Sequence, residues 1–142
     1  MPLTTTNVGN NPATPGIAAE IYKPDQLIAG QFPNVTQPIT IASGQGVLPR
    51  GQVLGQVTAS GKYIKAVSTA VDGSQTPVCI LVDAVDATSA DQAAGGYFSG
   101  EFNVGAMTYD ASFTITTLTN VLRDASIFLK VVSAALSNAD PT

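Results

Sequence analysis

The stretch that decides the fold is DGSQTPVCILVDAVDAT, residues 72–88, in which a polar turn precedes a solid apolar run and two aspartates. Asp72-Gly73 is a strong turn signal, because glycine accepts the positive φ that tight turns demand. In an extended chain Val78, Ile80 and Val82 share one face, and Cys79 and Leu81 share the other. A strand that is apolar on both faces must be covered on both, by its own core or by a neighbouring subunit. Val78, Ile80 and Val82 are therefore candidates for a core strand or for a contact between subunits. Asp83 and Asp86 follow the run. Asp is poor inside strands and favoured in turns, so both are expected to mark the strand's exit into water.

Composition narrows what such a strand serves. The chain has 142 residues, enough for one domain with a modest core. Hydrophobic residues make up 44%, so a core can be buried, but charged residues are only 11%. That is well below the roughly 25% usual in soluble globular proteins. A surface so sparsely charged suits a protein that hides part of itself in an assembly. The net charge of −4, with four lysines and two arginines scattered along the chain, argues against a nucleic-acid partner. No apolar stretch approaches the ~20 residues needed to cross a bilayer, so no membrane partner is expected. The start, MPLTTTNVGNNPATPG, has neither the charged beginning nor the apolar centre of a signal peptide, which points to synthesis in the cytoplasm.

Little in the chain can do chemistry. Histidine, the commonest general base and metal ligand, is absent. The lone Cys79 excludes an internal disulfide and a thiolate zinc site, and within PVCILV it reads as a small buried hydrophobe. Asp83 and Asp86 lack a nearby base, metal partner or phosphate loop. No catalytic, cofactor-binding or metal-ligating residue is expected, and the chain reads as non-enzymatic.

Residues 1–20 are rich in Thr, Asn and Pro without a period of 2 or 3.6, and read as an extended, flexible arm. EIYKPDQLIAGQFP, 20–33, is bracketed by prolines and carries apolar residues that dock on something. Beyond it the signal is β. Ile39 and Ile41 alternate with polar neighbours. QVLGQVTASGKYIKAV, 52–67, reads as a hairpin whose turn uses Gly61 at positive φ. GGYFSGEFNVGAM, 95–107, is another strand with Tyr97, Phe98 and Phe102 as core side chains, Gly100 at a bend, and Glu101 toward solvent. TTLTNVLRDASIFLKVVSA, 116–134, repeats apolar residues at helical spacing from Leu118 through Val132. It predicts one long helix, capped by Thr116 or Thr117, with Lys130 near its C-terminal dipole.

The order and spacing of YKPDQLIAGQFP, PRGQVLGQVTASGKYI, DGSQTPVCILVDAVDA, GYFSGEFN and the late IFLK resemble the lambda-type head decoration proteins of tailed bacteriophages. The resemblance runs from about Ile21 to Val131; residues 1–20 are similar only in character. It implies a mainly β fold, a small irregular β-barrel or β-tulip-like domain (21–142) with one helix on its C-terminal side and an extended N-terminal arm (1–20). It also implies a homotrimer at local three-fold sites, bound to the major capsid protein on the outside of the expanded head and cementing it against DNA pressure. Leu3, Val8, Ile17, Ile21 and Tyr22 are the arm's candidate anchors on the capsid, and Val78, Ile80 and Val82 become candidates for the trimer contact or the core strand. The family brings no catalytic residues and no cofactor.

Two other readings differ in kind. A tail, fibre or receptor-binding module would expose an aromatic or charged recognition patch, whereas aromatics make up only 6% here. A small hydrolase or lyase would have to work with Asp83, Asp86 and Glu101.

Overall fold

A computed structural model describes residues 26–132. In chain order they form β1 (Val35–Ile41), β2 (Gly46–Leu48), β3 (Val53–Gln56), β4 (Tyr63–Lys65), β5 (Pro77–Leu81), β6 (Val85–Ala87), β7 (Gln92–Asn103), a 3-10 turn (Val104–Ala106), α1 (Ile115–Asp124) and β8 (Ile127–Lys130). The fold is mainly β, as expected, and its largest sheet closes on itself. β1 pairs antiparallel with β7 and, through Ile41 opposite Tyr63, parallel with β4. β4 pairs with β3, β3 with β5, and β5 with β7, all antiparallel. β8 lies parallel to the last four residues of β7, and β2 with β6 forms a separate two-stranded sheet.

The apolar run at the centre of the sequence becomes β5, and both its faces are covered within one chain. Cys79 and Leu81 turn into the barrel interior with Ile39, Ile41 and Leu54. Ile80 turns outward with Val53 and Tyr97 and is covered by Leu118 and Leu122 of α1. Ile80 is fully buried, so it is a core residue, while Val78 and Val82 are half-buried at its sides. The interior is tight where β7 crosses it. A Cβ on Gly96 would lie 3.3 Å from both Cys79 Sγ and Ile39 Cδ1. Burial pushes the Cys79 thiol up to about 12, and this cysteine is an inert piece of core.

The predicted hairpin is β3–β4. Leu54 faces Lys65 and Gln56 faces Tyr63, and Gly61 sits in the turn at φ +70°. The predicted long helix is not there. α1 ends at Asp124, Ser126 takes a left-handed φ of +62°, and IFLK is strand β8. The apolar repeat in IFLK also fits a period of 2: Ile127 and Leu129 pack on the core cluster around Phe102, while Phe128 and Lys130 fall on the opposite face. The free edge of β7 supplies long-range hydrogen bonds that local periodicity cannot register, and the edge wins. The cap differs too. Thr114 is the N-cap, its hydroxyl accepting from Thr117 N–H while Thr117 Oγ1 accepts from Thr114 N–H.

Two acidic residues also depart from expectation. Asp83 does mark the exit of β5, but Asp86 sits in the middle of β6, paired opposite Val47. An exposed two-stranded ribbon tolerates it there, because its carboxylate accepts from the Thr88 N–H at 3.0 Å. Glu101 does not simply face solvent, because its carboxylate pairs with Lys130 of β8.

Candidate functional site

β7 is twelve residues long, and its halves do different work. Through Ser99 it is a stave of the barrel. At Gly100 the backbone adopts φ +142°, which favours glycine, and β1 and β5 no longer accompany it. Two new neighbours take their places. Leu27–Ala29 pairs on one edge, with Ala29 N–H donating to Glu101 O at 2.8 Å and Asn103 N–H donating to Leu27 O at 2.8 Å. On the other edge β8 pairs from Gly100 opposite Ile127 to Asn103 opposite Lys130.

Asn103 therefore holds both ends of the described chain. Besides the bond to Leu27, its buried side-chain Oδ1 accepts from Gly105 N–H at 3.0 Å and from Val132 N–H at 3.4 Å. Glu101 performs a similar task on the outer face. Its carboxylate pairs with Lys130 Nζ at 2.7 Å and accepts from Phe32 N–H at 3.2 Å. The Lys130 ammonium first, and the Phe32 amide second, hold the Glu101 carboxyl below its ordinary range. One carboxylate thus ties β8 and the 29–33 segment to β7.

Around these polar ties the apolar groups stay in solvent. The Phe32 and Phe128 rings meet edge to face with centroids 5.1 Å apart, and Phe32 is still 41% exposed. Ile28, opposite Phe102, and Val131 and Val132, just past β8, are exposed as well, Val131 to 79%. An apolar surface fixed by backbone pairing and left unburied is the signature of a contact site rather than of a core.

Leu3, Val8, Ile17, Ile21 and Tyr22 all lie outside the described residues. Of the carboxylates weighed for chemistry, Asp86 and Glu101 are each engaged by their own neighbours and do not form a pair. Among the described residues no cluster of three or more His, Cys, Asp or Glu side chains is placed to hold a metal ion, and no helix is long and apolar enough to cross a membrane. The pole around Asn103 escaped sequence reasoning. Its trace in the sequence is a pair of aromatics, Phe32 in QFP and Phe128 in IFLK, far apart along the chain.

The described residues thus form a small closed β domain with apolar side chains exposed at one pole. Residues 17–126 match the family of the bacteriophage lambda head decoration protein D, and the chain belongs to that family. It is a structural capsid decoration protein of a phage head, and its place is the virion capsid. The match begins four residues before the stretch on which the resemblance was read and stops at Ser126, just short of β8. Among individual curated proteins, none matches the chain.

Proposed function

We propose that the chain is a cement protein that sits on the outside of the expanded head as a trimer at local three-fold sites, after synthesis in the host cytoplasm. There it binds the major capsid protein and resists internal DNA pressure. The observation that carries this reading is the pole at Asn103. Both ends of the described chain are tied to β7 at Asn103, and the apolar side chains left exposed there are the surface this reading offers to the capsid. In this reading the domain proper is 21–142. The arm's anchors are Leu3, Val8, Ile17, Ile21 and Tyr22, and Phe32 and Phe128 add to the contact.

The energetics favour a multivalent arm. Ordering an extended segment costs about 1–2 kcal/mol per residue, which a few isolated apolar anchors offset only in part. Twenty residues span up to about 65 Å when extended, far enough to reach away from the domain's own footprint. Three such arms on one trimer raise one another's effective concentration. Cementing is then linkage: a protein that binds only the expanded shell stabilises it by about 4 kcal/mol per site at a thousandfold excess over Kd.

The test is co-sedimentation with expanded capsid shells that lack their decoration protein, using the full chain and a chain beginning at Glu20. Saturable binding that truncation abolishes supports the reading and its arm. Binding that survives truncation moves the anchor to the pole. Absence of binding by both chains overturns it.

A further inference from the structure

The barrel is unevenly closed. β1 meets β4 only through Ile41 and Tyr63, so from Val35 to Thr40 its second edge has no strand partner among the described residues. Pro38, which has no N–H to offer, lies in that open edge, a position proline tolerates. The split leaves a notch of about 490 Å³ between β1 and the tip of the β3–β4 hairpin. Pro38, Ile39, Tyr63 and Ala93 give it apolar walls, and Lys62 stands on its rim.

The other flank of the same hairpin carries the opposite shape. The loop from Val67 to Thr76 packs on the β3 side, where Thr58 N–H donates to Asp72 O at 2.8 Å. Hydrogen bonds organise the second half of this loop. Ser74 is fully buried and donates from N–H and Oγ to Asp72 Oδ1 at 3.0 and 2.6 Å. Gly73 N–H donates to Gln75 Oε1, and a Cβ on Gly55 would lie 2.2 Å from Ser74 O. At the tip of this loop Val71 is 96% exposed, the most exposed large apolar side chain among the described residues.

We propose that these two features meet between copies: Val71 of one subunit seats in the β1–β4 notch of the next. The inference rests on the trimeric reading above and deepens it by assigning the contact. A ring of three needs two different, complementary patches on each copy, and a knob and a notch on opposite flanks of one hairpin supply them. Lys62 on the notch rim is already paired with Asp91 of its own chain, so the contact is carried by apolar shape rather than by charge. Val78, Ile80 and Val82 are not needed for the contact.

The test is disulfide trapping on decorated capsids. Cys79 is buried and unreactive, so introduced cysteines report alone. Val71→Cys is combined in one chain with Ala93→Cys or, separately, with Thr40→Cys, and bound protein is mildly oxidised. The expected result is a covalent ladder ending at the trimer for a double variant and monomer for each single variant. Dimers from Val71→Cys alone would show a symmetric knob-to-knob contact and overturn the proposal. So would cross-links from Val71→Cys to the major capsid protein, or an absence of cross-links from capsid-bound double variants. If the variants and the unaltered chain alike fail to bind capsids, the decoration reading itself has failed. Val71→Asp provides a second readout: a self-association constant at least about tenfold weaker, with unchanged thermal unfolding.

Discussion

The two halves of β7 are the same strand put to opposite uses. From Gln92 to Ser99 it is a wall of the barrel: Gly96 lets that wall close on Cys79 and Ile39, and Tyr97 goes under α1. From Gly100 to Asn103 the strand itself is buried as well, with Phe102 fully covered and Asn103 only 4% exposed. That half is organised by Asn103 and Glu101, which bind chain segments in place while Phe32, Ile28 and Val131 remain wet. The first half closes the barrel through pairing on both edges, whereas the second half ties down two chain segments whose own apolar side chains stay exposed. A decoration protein needs both, because a surface that must wait for its partner cannot also be the source of the fold's stability.

This contrast predicts where mutations hurt. Leu81→Ala, in the barrel interior, should have the largest effect, about 2–5 kcal/mol by denaturant unfolding. Gly96→Val should follow at about 1–3 kcal/mol, because new methyls meet the Cys79 and Ile39 side chains in an already tight wall. If either change left stability intact, the barrel half would not be the structural one. Phe128→Ala at the pole should cost only about 1 kcal/mol, chiefly the edge-to-face pair with Phe32. The same change should weaken capsid co-sedimentation clearly, the reverse of the pattern for Leu81. A Phe128→Ala protein that bound capsids normally would remove the pole from the contact.

How much of this was legible differs between the same two regions. The doubly apolar β5, the β3–β4 hairpin and the core roles of Tyr97 and Phe102 follow from local pattern, since period 2 and turn chemistry act within a few residues. The pole does not. Asn103 is one polar residue at the end of a strand, and its three bonds reach residues 27, 105 and 132. The helix that should have run past Asp124 failed for the same reason. Ile127 to Lys130 satisfies both a helical and a strand period, and the choice was made by an edge of β7 more than twenty residues away. Barrel closure through the Ile41–Tyr63 parallel pair leaves no local mark either. Ser126 tests that choice: Ser126→Gly removes the cost of a left-handed residue, about 1–2 kcal/mol. The gain should exceed the roughly 0.5–1 kcal/mol that glycine's extra freedom takes back, leaving a small net stabilisation by thermal unfolding. Destabilisation instead would mean that β8 is not held in the strand form.

The smallest expected effect is the most specific to the pole. Glu101 is ionised more readily in the folded chain than in the unfolded one, because Lys130 and the Phe32 amide favour its charge. Its contribution is therefore present in full above the ordinary glutamate range near pH 4.3 and is lost as pH falls through the depressed folded value. Asp72, Asp86, Asp91 and Asp110 are also shifted downward, each by a neighbouring hydroxyl or ammonium, and would blur a measurement on one protein alone. Comparing Glu101→Gln with the unaltered chain across pH 3–7 cancels those terms. The stability difference should be small at neutral pH, shrink with added salt, and vanish in acid. A difference as large as that of Leu81→Ala would show that the pole holds the domain together. A difference that grew in acid would mean that Lys130 and Phe32 favour the protonated acid. In either case the division of β7 into a half that stabilises and a half that waits would have to be redrawn.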